Sequence, residues 1–177
     1  DTAVVFGLGP IGLLIIEALR AAGASKIYGV ELSPERQAKA EELGAIIVRP
    51  EEGEDVVAAI QRLTGGGADV SYEVTGVPVV LGQALAAVHK AGECMVVSIW
   101  EREANINPNE FAIQEKSLKG IIAYRHIFPK VLELMEQGYF SADKLVTKKI
   151  KLEDIVQEGF IELTQDKAQI KILVSPE

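Results

Sequence analysis

The chain has 177 residues, with 26 acidic against 18 basic side chains, a formal charge of −8 and 48% apolar residues. That length suits one domain with a sizeable core, the acidic balance argues against a nucleic-acid phosphate backbone as partner, and no stretch approaches the roughly 18 uncharged apolar residues of a membrane span. The single cysteine, Cys94, excludes an internal disulfide and a zinc site built on several thiolates.

A first strand is predicted at Thr2 to Phe6, and the helix after it carries Ile11, Leu14, Ile15, Leu19 and Ala22 on one stripe before Gly23 closes it. Lys26 to Val30 reads as the second strand. Ser33-Pro34-Glu35 then starts a helix with a capping hydroxyl, a proline in the first turn and an early acid, and Gly44 ends it. Ala45 to Val48 is the third strand, followed by a helix from about Asp55 to Leu63 that runs into Gly65-Gly66-Gly67. Ala68 to Val74 is the fourth strand, and Pro78 opens a helix expected to reach about Lys90. Glu93 to Ile99 and Leu118 to Ala123 are the fifth and sixth strands. Strands alternating with helices give parallel βαβ units, and six of them make a complete doubly wound Rossmann sheet, order 3-2-1-4-5-6.

Beyond a helix at Pro129 to Gln137 the pattern changes. Leu145 to Ile150 alternates more than a buried parallel strand should. A short amphipathic helix (Leu152, Ile155, Val156, Phe160) and a last strand at Gln169 to Val174 complete a β-α-β extension. The expected division is therefore a dinucleotide-binding domain over 1–140 and an extension over 141–177 that packs on a neighbouring domain. The first strand begins almost at residue 1 with no Met before it, so the chain is expected to be a piece of a longer protein.

Gly7-x-Gly9-x-x-Gly12, with Pro10 and Ile11 inside it, sits between that first strand and its helix. In this context Gly7 permits the tight turn, Gly9 lets main chain approach phosphate oxygens, and Gly12 lets helix and strand pack closely. The N–H groups of the helix start and the helix dipole then favour a pyrophosphate. Glu31 follows Gly12 by nineteen residues, at the end of the second strand. A carboxylate there accepts from both adenosine ribose hydroxyls and repels a 2′-phosphate, favouring NAD over NADP. Arg36, just beyond it, could bind the ribose, stack on adenine, tolerate a phosphate or simply be a solvated charge.

Thr75-Gly76 and Ser98-Ile99 follow strands four and five at the edge where open α/β sheets place ligands, although position alone leaves ordinary loop chemistry equally open. Glu73 ends an apolar strand and is expected to pair with a neighbour. His89 reads as a solvated residue near a helix end, and His126 as a capping residue beside Tyr124. Cys94, in the run Cys94-Met95-Val96-Val97, reads as a buried, inert thiol. No metal site is expected within the chain, and its setting is expected to be cytoplasmic and reducing.

Taken together, Phe6 to Gly12, Val30 to Arg36, Tyr72 to Gly76 and Lys119 to Ile122 resemble the coenzyme-binding domain of the zinc-dependent medium-chain alcohol and polyol dehydrogenases. The resemblance covers essentially the whole chain. It implies Ile11 beside the phosphate and ribose, Glu31 and Arg36 on the adenosine ribose, and Val97, Ser98, Ile99, Ile121, Ile122 and Ala123 around a nicotinamide. Tyr124 would reach the substrate pocket, and Lys171 falls where some members place an arginine for the pyrophosphate. Polyol-oxidising members have an arginine where this chain has Ala123, a departure from their pattern.

By the same resemblance the chain implies an oxidoreductase that takes a secondary alcohol or diol, with polyol- and threonine-oxidising members as alternatives. The catalytic zinc would be bound by a domain that has no counterpart here. A homodimer or homotetramer would pair through Ala104 to Asn107. Two other classes compete: a free nucleotide-sensing regulatory module, and a methyltransferase with a related glycine turn, which Gly12 and the all-parallel strand count disfavour.

Overall fold

A computed structural model describes residues 1–166 and 168–176. The elements in chain order are β1 (Thr2–Phe6), α1 (Pro10–Ala21), β2 (Lys26–Val30), α2 (Pro34–Glu42), β3 (Ile46–Ile47), α3 (Val56–Thr64), β4 (Ala68–Glu73), α4 (Pro78–Ala86), β5 (Val88–Val96), α5 (Asn109–Ala112) and β6 (Ser117–Gly120). The six strands form one parallel sheet in the order β3-β2-β1-β4-β5-β6. The doubly wound Rossmann topology read from the sequence is the observed one. After it come α6 (Phe128–Glu136), α7 (Ala142–Leu145), β7 (Val146–Lys151), a helical stretch ending in α8 (Glu162–Gln165), and β8 (Lys171–Ser175).

Alternation along β1 divides the core. Val4 and Phe6 join Tyr28, Ile60, Leu81 and Cys94 on the α3/α4 side, whereas Val5 joins Leu13, Ile16, Ile27 and Leu43 on the α1/α2 side. Helix starts follow the expected chemistry: Ser33 accepts from the Arg36 N–H, and Asp55 accepts from the Ala58 N–H at 2.8 Å.

The fourth crossover departs from expectation. Helix α4 stops at Ala86, and His89 and Lys90 lie in β5, which starts at Val88. Ala68 pairs with Val88, but the register then shifts so that Val70 pairs with Glu93. Ala91, at φ +62°, supplies that irregularity, and it hides the front of the strand from a reading by periodicity. At the other end β6 stops at Gly120, leaving Ile121, Ile122 and Ala123 as a loop beyond the strand. Ala104 to Asn107 forms no strand, so the free edge on that side of the sheet is β6.

The tail is a β-α-β unit, with β7 and β8 paired in parallel as a separate two-stranded sheet. Its connecting helix is irregular: one tight turn (Leu152–Asp154), a wide turn (Ile155–Ile161) and then α8. Leu145 and Ile170 are buried within the α1/α2-side core, while Leu152, Val156 and Phe160 stand exposed. The extension expected over 141–177 includes positions 167 and 177, which lie outside the described residues.

Candidate functional site

In the glycine turn, Gly7 and Gly12 are held by contacts that leave no room for a side chain, while a Cβ on Gly9 would meet nothing closer than the Arg36 guanidinium at 4.0 Å. Gly7, at φ +91°, donates its N–H to the Val30 carbonyl at 2.9 Å, and a Cβ there would stand 2.7 Å from Thr75 Cγ2. A Cβ on Gly12 would stand 2.0 Å from the Gly7 carbonyl oxygen, so the third glycine is what allows α1 to cross its own turn. Gly9 caps α1 with extended backbone and no side-chain bond. Leu13 makes the first internal bond of the helix, to the Gly9 carbonyl at 3.0 Å. The N–H groups of Ile11 and Gly12 precede it, where a helix offers donors to an anion.

Across that turn Glu31 accepts from the N–H groups of Leu8 at 3.0 Å, Leu32 at 2.7 Å and Ser33 at 3.1 Å. The bond to Leu8 ties the end of β2 to the glycine turn. The Arg36 guanidinium lies 3.7 Å from Glu31 Oε2, so it faces the cleft as a partner of the acid. A cavity of about 590 Å³ opens here between Gly7, Gly9, Glu31, Arg36 and Thr75. A second, of about 690 Å³, is lined by Ile11, Val97, Ser98, Ile99, Ile121, Ile122, Ala123 and Tyr124. Both are also lined by Val74 and Thr75, so they read as two halves of one cleft along the C-terminal edge of the sheet.

Of the residues expected at a site, Pro10, Gly12 and Gly76 line neither half: Pro10 opens α1, Gly12 is buried beneath the turn and the Gly76 N–H is turned to Glu73. Lys171 begins β8 and also lines neither. Sequence reasoning missed Val30, Leu32, Val77, Val79, Val80 and Gln83, which wall the first half. The signal for the last four was available, since α4 starts directly after β4 at the ligand edge.

Glu73 is fully buried and meets only donors: the Thr75 N–H and hydroxyl, the Gly76 N–H and the Ser98 hydroxyl. His89 is not a solvated helix residue. Its Nε2 lies 3.0 Å from Asp69 Oδ1 and its Nδ1 lies 2.5 Å from the Lys90 carbonyl, at the sheet edge opposite the cleft. His126 does not cap α6; Ile127 occupies that position with no side-chain bond. Burial pushes the Cys94 thiol above its ordinary range. Tyr124 is exposed and tilts against Phe128 with ring centroids 5.2 Å apart.

Among the described residues no group of three or more His, Cys, Asp or Glu side chains is placed to hold a metal ion, and no helix is long and apolar enough to cross a membrane.

Comparison with known proteins bears on the same region. Residues 10–137 match the family model described as zinc-binding dehydrogenase. The chain is 65% identical over 176 residues to the (R,R)-butanediol dehydrogenase of Bacillus subtilis, aligning over 99% of this chain and 51% of that protein. It is 31% identical to a sorbitol dehydrogenase of the same organism, over 99% of this chain and 50% of the relative. Among solved structures, the 2R,3R-butanediol dehydrogenase of Bacillus subtilis superposes with a TM-score of 0.95 at 65% identity, covering all of this chain and 51% of that one. Benzyl alcohol dehydrogenase of Acinetobacter calcoaceticus gives 0.87 at 28% identity, covering 98% of this chain and 49% of its own. The chain spans about half the length of the curated relatives it matches. By the match across α1 to α6, on a doubly wound sheet with a glycine-turn cleft, the chain belongs to the zinc-binding dehydrogenase family.

Proposed function

We propose that this chain is the NAD(H)-binding part of a zinc-dependent secondary alcohol dehydrogenase that interconverts 2,3-butanediol and acetoin. The observation that carries the reading is Glu31, set opposite the glycine turn at the end of β2 and already oriented by three main-chain N–H groups. Its carboxylate offers acceptors to the two adenosine ribose hydroxyls, and Arg36 borders the same half of the cleft. The N–H groups at the start of α1 take the pyrophosphate. Val97, Ser98, Ile99, Ile121, Ile122 and Ala123 surround the nicotinamide, and Tyr124 borders the substrate. The bound cofactor supplies the hydride acceptor, and the residues of this chain hold and orient it.

The zinc and the groups that bind it belong to a part of the protein outside this chain. The exposed apolar face at Leu152, Val156 and Phe160 packs on that part, and two copies associate along the free β6 edge. The substrate is assigned from the 65% identity to a butanediol dehydrogenase, and a cytoplasmic setting from the lone buried thiol.

Titration calorimetry with the chain tests the cofactor reading. NADH is expected to bind, and NADPH to bind at least about tenfold more weakly because its 2′-phosphate meets the Glu31 carboxylate. Tighter binding of NADPH would overturn it. Turnover of butanediol by these residues alone would overturn the placement of the chemistry elsewhere.

A further inference from the structure

Four donors converge on one carboxylate at the cleft edge. On Oε1, Glu73 accepts from the Thr75 N–H at 2.7 Å, the Thr75 hydroxyl at 2.5 Å and the Gly76 N–H at 3.0 Å. Oε2 accepts from the Ser98 hydroxyl. Thr75 and Gly76 follow β4, whereas Ser98 follows β5, so the side chain joins two loops. The main chain of Glu73 joins them as well, since its carbonyl accepts from the Val97 N–H at 3.0 Å. A carboxylate buried at the end of an apolar strand is costly unless its oxygens are taken up by donors, and here they are.

A carboxylate only accepts, so it decides where the hydroxyl hydrogens point. Thr75 Oγ1 gives its hydrogen to Glu73 and accepts from the Val77 N–H at 3.1 Å. Ser98 Oγ also gives its hydrogen to Glu73, but among the described residues no hydrogen bond is seen in which it accepts. Ser98 is among the residues that line the second half of the cleft, so its unused lone pairs are left for a donor that enters there.

We propose that Glu73 is a positioning residue: it fixes Ser98 as a hydrogen-bond acceptor toward the cleft, and that acceptor selects the amino group of the nicotinamide carboxamide. The inference rests on the reading above, which puts the nicotinamide in that half. A carboxamide brings an N–H to such an acceptor. The carboxylate of nicotinic acid adenine dinucleotide brings only lone pairs and a charge, and is rejected.

The test is the ratio of the two dinucleotides' dissociation constants, measured by calorimetry on the 177-residue chain. The unaltered chain is expected to favour the carboxamide by about tenfold or more. In Glu73→Gln the amide oxygen keeps the Thr75 and Gly76 donors while its NH₂ donates to Ser98 Oγ. That turns the Ser98 hydrogen toward the cleft, and the ratio falls to near one. Ser98→Ala removes the acceptor, and the ratio falls severalfold.

A purely structural role for Glu73 would weaken both dinucleotides by one factor and leave the ratio unchanged, which overturns the proposal. A ratio near one in the unaltered chain also overturns it. Should Glu73→Gln fail to fold by circular dichroism, Ser98→Ala decides alone, with an unchanged ratio overturning the proposal. No NAD binding by the unaltered chain would overturn the function reading, and the proposal with it.

Discussion

Beneath the first half of the cleft, at Gly7 and Gly12, atoms pack too closely to admit a Cβ, whereas around Ile99, Ile122 and Tyr124 the second half is walled by side chains that are 80%, 74% and 73% exposed. The first half suits the phosphate and ribose of a cofactor, which are constant and polar and are well met by fixed N–H groups and one carboxylate. Under the proposed function the second meets the ring that reacts and the substrate beside it, with exposed side chains whose exchange is expected to leave the backbone undisturbed. Rigidity is thus placed where the ligand does not vary. Under the proposed function, exposed side chains border the reacting ring and the substrate.

The largest way to break that contrast is Gly12→Ala. Its Cβ would meet the Gly7 carbonyl oxygen at 2.0 Å and carbon at 3.0 Å, both main-chain atoms that cannot swing aside. A loss of about 3 kcal/mol in urea unfolding, with NADH binding abolished, is expected; a fully stable, NADH-binding variant would show the turn to be soft. Next in size is Glu31→Ala, which removes the ribose acceptor and unpairs three N–H groups. NADH affinity should fall by about tenfold or more while NADPH is affected far less. Equal losses for both would remove Glu31 from the recognition of the ribose.

In the other half, Ile122→Ala should leave the unfolding midpoint unchanged, because the side chain is already exposed. NADH affinity should nonetheless drop by about fivefold through lost apolar contact. A shift in the midpoint would mean that this half is as tightly built as the first.

The smallest effect concerns the opposite edge of the sheet. The Asp69 carboxylate and then the Lys90 carbonyl raise the His89 pKa, so the histidine contributes stability that is complete below about pH 6.5 and lost as pH rises through its folded value. Asp69 is held low, chiefly by His89 and then by Thr2; its share is complete above about pH 3.9 and lost on acidification. Both groups are part-exposed, so the pair is worth about 0.5 kcal/mol. The melting temperature should decline slightly between about pH 6 and 8, and His89→Asn should flatten that decline without changing NADH affinity in either half. A decline of the same size in the variant would exclude His89 as its source.

The sheet order and the pairing of the glycine turn with Glu31 were legible because local signals agree there. Gly7, Gly9 and Gly12 sit between a strand and a helix, and Glu31 ends the next strand, so the positions follow from chain geometry alone. The start of β5 was hidden because the apolar run of α4 continues to Val88, and only the left-handed Ala91 marks the bulge. His89 was misassigned for the same reason. Glu73 was expected to pair with a neighbour, and its partners are hydroxyls and N–H groups brought from two loops. That arrangement depends on β4 and β5 being neighbours, which no single segment announces. Ile121 to Ala123 read as the end of the sixth strand, but β6 stops at Gly120 and the chain turns away through Ala123 and His126 at positive φ.

One feature of the tail bears on the cleft from a distance. Leu145 and Ile170 are set among Leu13 and Ile16 of α1, and the Ser141 N–H is bonded to Glu17 of the same helix at 3.0 Å. Helix α1 is thus shared, with the tail held against its flank and the glycine turn at its N-terminal tip. Whatever packs on the exposed face of the tail therefore rests, through Leu145, Ile170 and Ser141, on the same helix that opens at the glycine turn.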